Sequence, residues 1–194
     1  MKPIPSLDLE IISFETAADW ENWLDQNHNV SNGIWLRMFK KDSGRKTVYY
    51  PEALDGALCH GWIDGQRKSF DDESFIQRFT PRRPRSLWSK INIGHVERLH
   101  QTGKMRPGGV AAVKAAKADG RWHAAYDGPK RAEIPTDFLA AVAKNKRALA
   151  FFKTLNKTNQ YSIAWRLQTA RKPEIREKRL KAIVEMMKKG EKFH

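Results

Sequence analysis

Apolar positions along the chain follow two periods, one suited to strands and one to helices. Ile11–Phe14 reads as a short strand. Thr16 with Asp19 three residues on is a box-like helix start. Ala17, Trp20, Leu24 and Asn27 then fall on one helical stripe, with Trp23 beside it. Gly33–Phe39 is apolar on both faces except at Arg37, the pattern of a central strand covered on both sides. Asp42-Ser43-Gly44 is a turn. Pro51 opens a helix with Leu54, Ala57 and Leu58 inward, and Gly61 ends it. Trp62–Ser69 and Ser74–Thr80 alternate like the two strands of a hairpin around Asp71-Asp72. Pro81 and Pro84 break that pattern. Ser86 or Ser89 caps a helix running to about Gln101, and Gly103 ends it. Pro107 starts the alanine-rich helix Gly108–Ala118.

Residues 119–134, with Gly120, Gly128 and Pro129, read as an irregular connection. Beyond Pro135 four helical stripes follow. They are marked by Phe138, Leu139 and Val142; by Ala148, Phe151, Phe152 and Leu155; by Tyr161, Ala164, Trp165 and Gln168; and by Ile175, Ile183, Val184 and Met187 after Pro173. No fixed-period repeat is present. The expected fold is α+β: a small mixed or antiparallel sheet of about four or five strands packed with helices, then an all-helical C-terminal part. The expected domains are 1–128 and 134–194.

Composition adds charge to this picture. The 194 residues carry 36 Lys+Arg and 22 Asp+Glu, a formal charge of +14. The charge is blocked. Residues 1–73 hold eight bases and thirteen acids, residues 74–118 ten bases and the single acid Glu97, and residues 144–194 fifteen bases and four acids. Such a distribution is either a dipolar surface that attracts an anionic partner or, more plainly, a source of solubility and of complementarity between the two parts of the fold. Forty per cent apolar residues with seven Trp and nine Phe suffice for a core. One cysteine excludes an internal disulfide framework and a Cys-based metal cluster. No apolar run approaches the ~20 residues of a membrane helix. Met1–Ile12 shows no secretory signal, so the expected location is cytoplasmic.

The segment Arg78–Lys90 carries the strongest chemical signal. Its five cations, Arg78, Arg82, Arg83, Arg85 and Lys90, stand without an acid, stiffened by two prolines, and run into a helix N-terminus. Arginines crowded at the positive end of a helix need a negative partner. That partner is either one of the protein's own carboxylates or a bound anion such as phosphate. Trp88 and Ser89 belong to the same segment; Trp88 can stack on a base or an arginine plane, or close a pocket. The other tryptophans are most simply core.

Gly61–Arg67 offers a second candidate. Asp64, between Trp62 and Arg67, is either an acid-base group or a partner orienting an arginine; the plainer alternative is a hairpin aspartate with Trp62 in the core. No nucleophile is identified beside it, so the sequence leans away from an enzyme. Cys59 and His60 point about 100° apart on a helix and do not pair. The six histidines lack metal-ligand spacing, and no metal or other cofactor is expected. Gly103–Gly109 lacks phosphate-loop spacing and reads as an interhelical link to which Lys104 and Arg106 add charge. The last helix carries Arg176, Lys178, Arg179, Lys181, Lys188 and Lys189. Such a face can track phosphates, lie on an anionic membrane or be simply solvated.

The segments ALCHGWIDGQRK (57–68), RFTPRRPRSLWSKIN (78–92), GKMRPGGVAAVKAAKADGRWHAAY (103–126) and the tail with YSIAWRLQTARKPEIREKR and GEKFH together resemble the YdeI/OmpD-associated, or bacteriocin-protection, family. The tail from about Ile134 is similar to that family's helical domain. The resemblance implies a stress- or bacteriocin-protection role and association with a porin. Members are described as periplasmic, from which the absence of an export signal departs. His60 sits where similar sequences carry an aromatic residue. The leading expectation is a non-enzymatic protein binding an anionic small molecule or protein partner through Trp62, Asp64, Arg67 and the Arg78–Lys90 segment. The alternatives are non-specific nucleic-acid binding by the two basic blocks, and an enzyme acting on a phosphorylated or carboxylated substrate with Asp64 as acid-base. No feature of the sequence sets an oligomeric state.

Overall fold

A computed structural model describes residues 8–194. The stretch before Asp8, part of the segment read for an export signal, lies outside the described residues. The chain forms two compact units. One runs to Trp88 and takes in Asn92–Ala124; the other holds Ser89–Ile91 and Ala125–His194.

Unit one is built on β1 (Ile11–Ser13), α1 (Ala17–Asn27), β2 (Ile34–Phe39), α2 (Tyr50–Cys59), β3 (Trp62–Ser69) and β4 (Ser74–Pro81). The sheet order is β1-β2-β4-β3, with β1 parallel to β2 and the other pairs antiparallel. The α+β expectation therefore holds, and the sheet is the mixed kind. Two local signals set α1 and α2. Thr16 accepts from the Asp19 amide while the Asp19 carboxylate accepts from Thr16 N–H. Pro51 sits in the first turn of α2, and Gly61 follows its end with φ +79°, a conformation that favours glycine.

The pleat sorts β2 into two faces. Ile34, Leu36 and Met38 join Trp20 and Leu24 of α1, Ala53 and Ala57 of α2, and Trp62 and Phe79 in one core. Trp35, Arg37 and Phe39 point the other way. Trp35 is nevertheless 1% exposed, with the Lys68 ammonium 4.7 Å from its ring centroid. The Arg37 guanidinium lies 4.6 Å from the Phe39 ring and 4.8 Å from the Phe70 ring. The second apolar face of this central strand is thus covered in part by the stems of long cations.

Two further helices, α3 (Lys90–Gln101) and α4 (Pro107–Ala118), follow the sheet. The first turn of α4 lies directly on the end of α2. A Cβ built on Gly108 would meet His60 O at 2.6 Å, and one built on Gly109 would meet Cys59 O at 2.2 Å. Only glycine lets the backbones approach so closely.

Unit two contains α5 (Thr136–Ala143), α6 (Lys146–Lys153), α7 (Lys157–Gln168) and α8 (Pro173–Lys189). Asn145 and Asn156 cap α6 and α7 by accepting from the amides of Ala148 and Asn159. Phe138, Val142, Phe152, Ile163, Leu167, Ile183 and Met187 form the centre of its core. Buried Asn159 fastens the last residues. Its carbonyl oxygen accepts from the amides of Phe193 and His194, and its NH2 donates to His194 O. No helix among the described residues is long and apolar enough to cross a membrane.

Candidate functional site: an arginine cleft at the end of β4

The segment that begins at Arg78 leaves the sheet along β4, so successive residues alternate between faces. Phe79 enters the core, while Arg78 and Thr80 emerge on the opposite side. There, Asp8, Asn32, Arg78, Thr80, Arg82 and Arg83 line a cleft of about 480 Å3. The Arg78 side chain packs along Gly65, and its Nη2 donates to the Asp8 carboxylate at 2.7 Å. Its Nε is buried and has no hydrogen-bond partner among the described residues. A guanidinium has five donors, so Arg78 retains capacity for an acceptor that Asp8 does not use.

Arg82 holds the turn in place. Its backbone N–H donates to Gly61 O at 3.0 Å, and its Nη1 donates to Leu87 O at 3.2 Å. The guanidinium lies over the Trp88 ring, 3.6 Å from the centroid. Of the roles open to Trp88, the structure displays stacking on an arginine plane: the ring is 2% exposed and 5.0 Å from the Trp122 ring. Arg83 and Arg85 are exposed, and Arg83 lines the cleft.

Ser89 and Lys90 fall in unit two. Ser89 forms a β-bridge with Tyr126, and the Lys90 ammonium pairs with Asp127 at 2.7 Å. The hydrogen bond from Lys90, followed by one from Gln168, holds the Asp127 carboxyl below the usual carboxylate range.

Asp64 lies on the other face of the sheet from Arg78. It pairs with Phe79 in register and faces α2, where it accepts from the Tyr50 hydroxyl at 2.9 Å. Burial first, and then the Asp64 charge, push the Tyr50 hydroxyl pKa up. A β-bulge between Asp64 and Arg67 shifts the register, and Gln77 Nε2 donates to Gly65 O inside it. The Arg67 guanidinium turns to the Phe75 ring at 3.7 Å. Trp62 is core, its Nε1 donating to His28 O at 3.1 Å. The structure therefore brings Arg78, Arg82 and Arg83 together and leaves Trp62, Asp64 and Arg67 outside their cleft. The Asp64 acid-base reading needs Asp64, Arg67 and two of the arginines in one closed pocket; Asp64 and Arg78 lie on opposite faces of the sheet.

Two other features carry information that the sequence did not. Buried His60 presents Nδ1 to Gly56 O at 2.8 Å and Nε2 to the Asp25 carboxylate at 2.9 Å. The ring is thus tied at both nitrogens, one to its own helix and one to α1. The His60 hydrogen bond holds the Asp25 carboxyl below its ordinary range. Thirty-five residues separate the two, and no local pattern marks the pair. The basic face of α8 is also largely self-paired. Arg176 pairs with Asp137, Lys181 with Glu177 and Lys188 with Glu185, while Arg179 donates to Arg166 O at 2.7 Å. Lys178 and Lys189 are exposed. No group of three or more His, Cys, Asp or Glu able to hold a metal ion occurs among the described residues.

The two-part architecture is mirrored in two family matches. Residues 12–112, just over half of the chain and including the β4 cleft arginines, match the family model described as Domain of unknown function (DUF8412), and the chain belongs to that family. Residues 131–190 match the model described as Bacteriocin-protection, YdeI or OmpD-Associated, the family that the sequence resembles. That match carries the tail; segments 57–68 and 78–92 fall under the first model. No curated protein and no solved structure matches the chain.

Proposed function

We propose that unit one binds the phosphate or carboxylate group of an anionic ligand in the arginine cleft, and that the protein acts by binding rather than by catalysis. The observation that carries this reading is the convergence of Arg78, Arg82 and Arg83 on one open cleft in which a carboxylate, that of Asp8, already sits on Arg78. Arg78 and Arg83 supply charge-assisted donors in a fork suited to an oxyanion. Arg82, held by Trp88 and Leu87 O, shapes the floor. Asp8 acts as an internal competitor, because an incoming oxyanion must share or displace it. The C-terminal family match supports placing this binding in a stress- or bacteriocin-protection role, and we place it in the cytoplasm.

The test is isothermal titration with inorganic phosphate and with a dicarboxylate, each at low and high salt. A defined cleft retains most of its affinity as salt rises, whereas a diffuse basic surface loses it steeply. Arg78→Ala and Arg83→Ala should each weaken binding about tenfold or more, and Asp8→Asn should strengthen it. Arg78→Lys should not restore binding, because an ammonium cannot present the fork. Binding of neither probe, or binding indifferent to all three residues, would refute the cleft as an oxyanion site.

A further inference from the structure

We infer that the groove between α3 and α4 is a docking site for an acidic amphipathic helix of a partner protein. The inference does not rest on the arginine cleft. It begins with the composition of α4. Of its twelve residues only Lys114 and Lys117 are charged; the rest are Pro, Gly, Val and Ala. A helix so poor in polar residues is expected to be buried nearly all round. Here only Gly109 and Ala116 are buried. Val110 is 47% exposed, and Ala111, Ala115 and Ala118 are exposed as well.

That face borders an open groove of about 350 Å3 within unit one. Val96 of α3, Met105 of the connecting loop, and Val110 and Val113 of α4 make its floor. His100, Lys114 and Lys117 make its rim, and no carboxylate lines it. Two helices with a trough between them offer ridges and grooves to a third, and twelve residues of α4 span about 18 Å, three turns of an occupant. The flexible Met105 lets the floor adapt to the anchors it receives. Charge decides the occupant's composition. Arg98 and Arg106 are taken by Asp55 and Asp25, so the charge at the rim is that of Lys114 and Lys117, with no acid in the lining to offset it. Apolar anchors at i, i+3, i+4 and i+7 would fill the floor, and flanking Asp or Glu would meet the rim. The apolar floor disfavours a nucleic-acid strand, whose affinity comes from phosphates.

The test uses the full chain and fluorescence anisotropy with three labelled peptides of about 15 residues. One carries leucines at i, i+3, i+4 and i+7 with glutamates between. The second has the same composition with leucine positions scrambled, and the third replaces glutamate by lysine. The first peptide is expected to bind at micromolar Kd, and the other two at least about tenfold more weakly. Val110→Asp should weaken the first peptide about tenfold, as should the double change Lys114→Glu and Lys117→Glu. All three positions are exposed, and circular dichroism with urea unfolding checks that each variant folds. Lys178→Ala, an exposed change in unit two outside both the groove and the cleft, should leave peptide binding unchanged. Equal binding of the scrambled peptide, or indifference to the groove variants, overturns the inference. So do two other results: anionic phosphatidylglycerol vesicles captured through Val110 while the peptide is ignored, and self-association abolished by Val110→Asp without peptide binding.

Discussion

Gly109→Ala tests the close contact between α2 and α4 on which the helical layer of unit one depends. The added methyl carbon would lie 2.2 Å from Cys59 O, 2.7 Å from Leu58 O and 2.8 Å from Cys59 C, where ordinary contact begins at 3.4 Å. All three atoms are backbone at the end of a helix, so no rotamer change relieves the overlap. The first turn of α4 would have to withdraw by about 1 Å. It is held there by the Arg106 N–H bond to Cys59 O at 3.1 Å and by the abutment of Gly108 on His60 O. Overpacking costs about 1–3 kcal/mol, and a strained hydrogen bond adds about 1 kcal/mol. Against this stands the gain of up to about 1 kcal/mol from replacing glycine by alanine in a helix. The net expected loss is about 1–3 kcal/mol. Gly94→Ala is the matched control. Gly94 lies inside α3 with nothing within 4 Å of a built Cβ, so the same chemical change should stabilise by about 0.5–1 kcal/mol. Urea unfolding followed by tryptophan fluorescence reads unit one, which holds six of the seven tryptophans. If Gly109→Ala matches or exceeds wild type in stability, the contact is not the constraint argued here.

Asp25→Asn removes the charge that His60 Nε2 meets at 2.9 Å. Because Asp25 is half exposed, the expected loss is only about 1 kcal/mol, read by the same unfolding assay, and His60→Phe should be tolerated better than Asp25→Ala. Asp25, Asp71, Asp127 and Asp137 all titrate below their ordinary value in the folded protein. A depressed carboxyl contributes stability that is fully present above its unfolded pKa of about 4 and is lost as pH falls through the folded pKa. The urea midpoint should therefore fall below about pH 4, and Asp137→Asn, which breaks the pair with Arg176, should flatten that fall in unit two. Asn159→Ala leaves the amides of Phe193 and His194 without their acceptor. It should cost about 1–3 kcal/mol and raise hydrogen exchange at those two amides, with no change in the exchange of α1 or α2.

The elements most legible in the sequence are those whose ends rest on local chemistry. Thr16 with Asp19, Pro51 with Gly61, and Pro107 and Pro173 each act within one helical turn of themselves, so a one-dimensional reading finds them. The alternation that gave Trp62–Ser69 and Ser74–Thr80 is equally local, since a pleat repeats every two residues. The arginine segment was visible as charge, but its division of labour was not. Alternation along β4 sends Arg78 to the face opposite Asp64, the turn after Pro81 spends Arg82 on Trp88, and Lys90 is taken by Asp127. Asp8 and Asn32 carried no signal of their own and enter the cleft only because distant segments meet there.

The helices and strands, the α+β class with helices following the sheet, and the concentration of cations between residues 74 and 118 are written in the sequence. Each follows from forces that act over a few residues: capping, φ restriction, the pleat and the helical repeat. The strand order β1-β2-β4-β3, the pairing of His60 with Asp25, the glycine contact between α2 and α4, and the set of arginines that share a cleft arise from long-range packing. Those depend on burial summed over the whole unit. Hydrophobic burial is non-directional and favours many arrangements alike; the one adopted is selected by close packing and by the cost of leaving buried polar groups without partners.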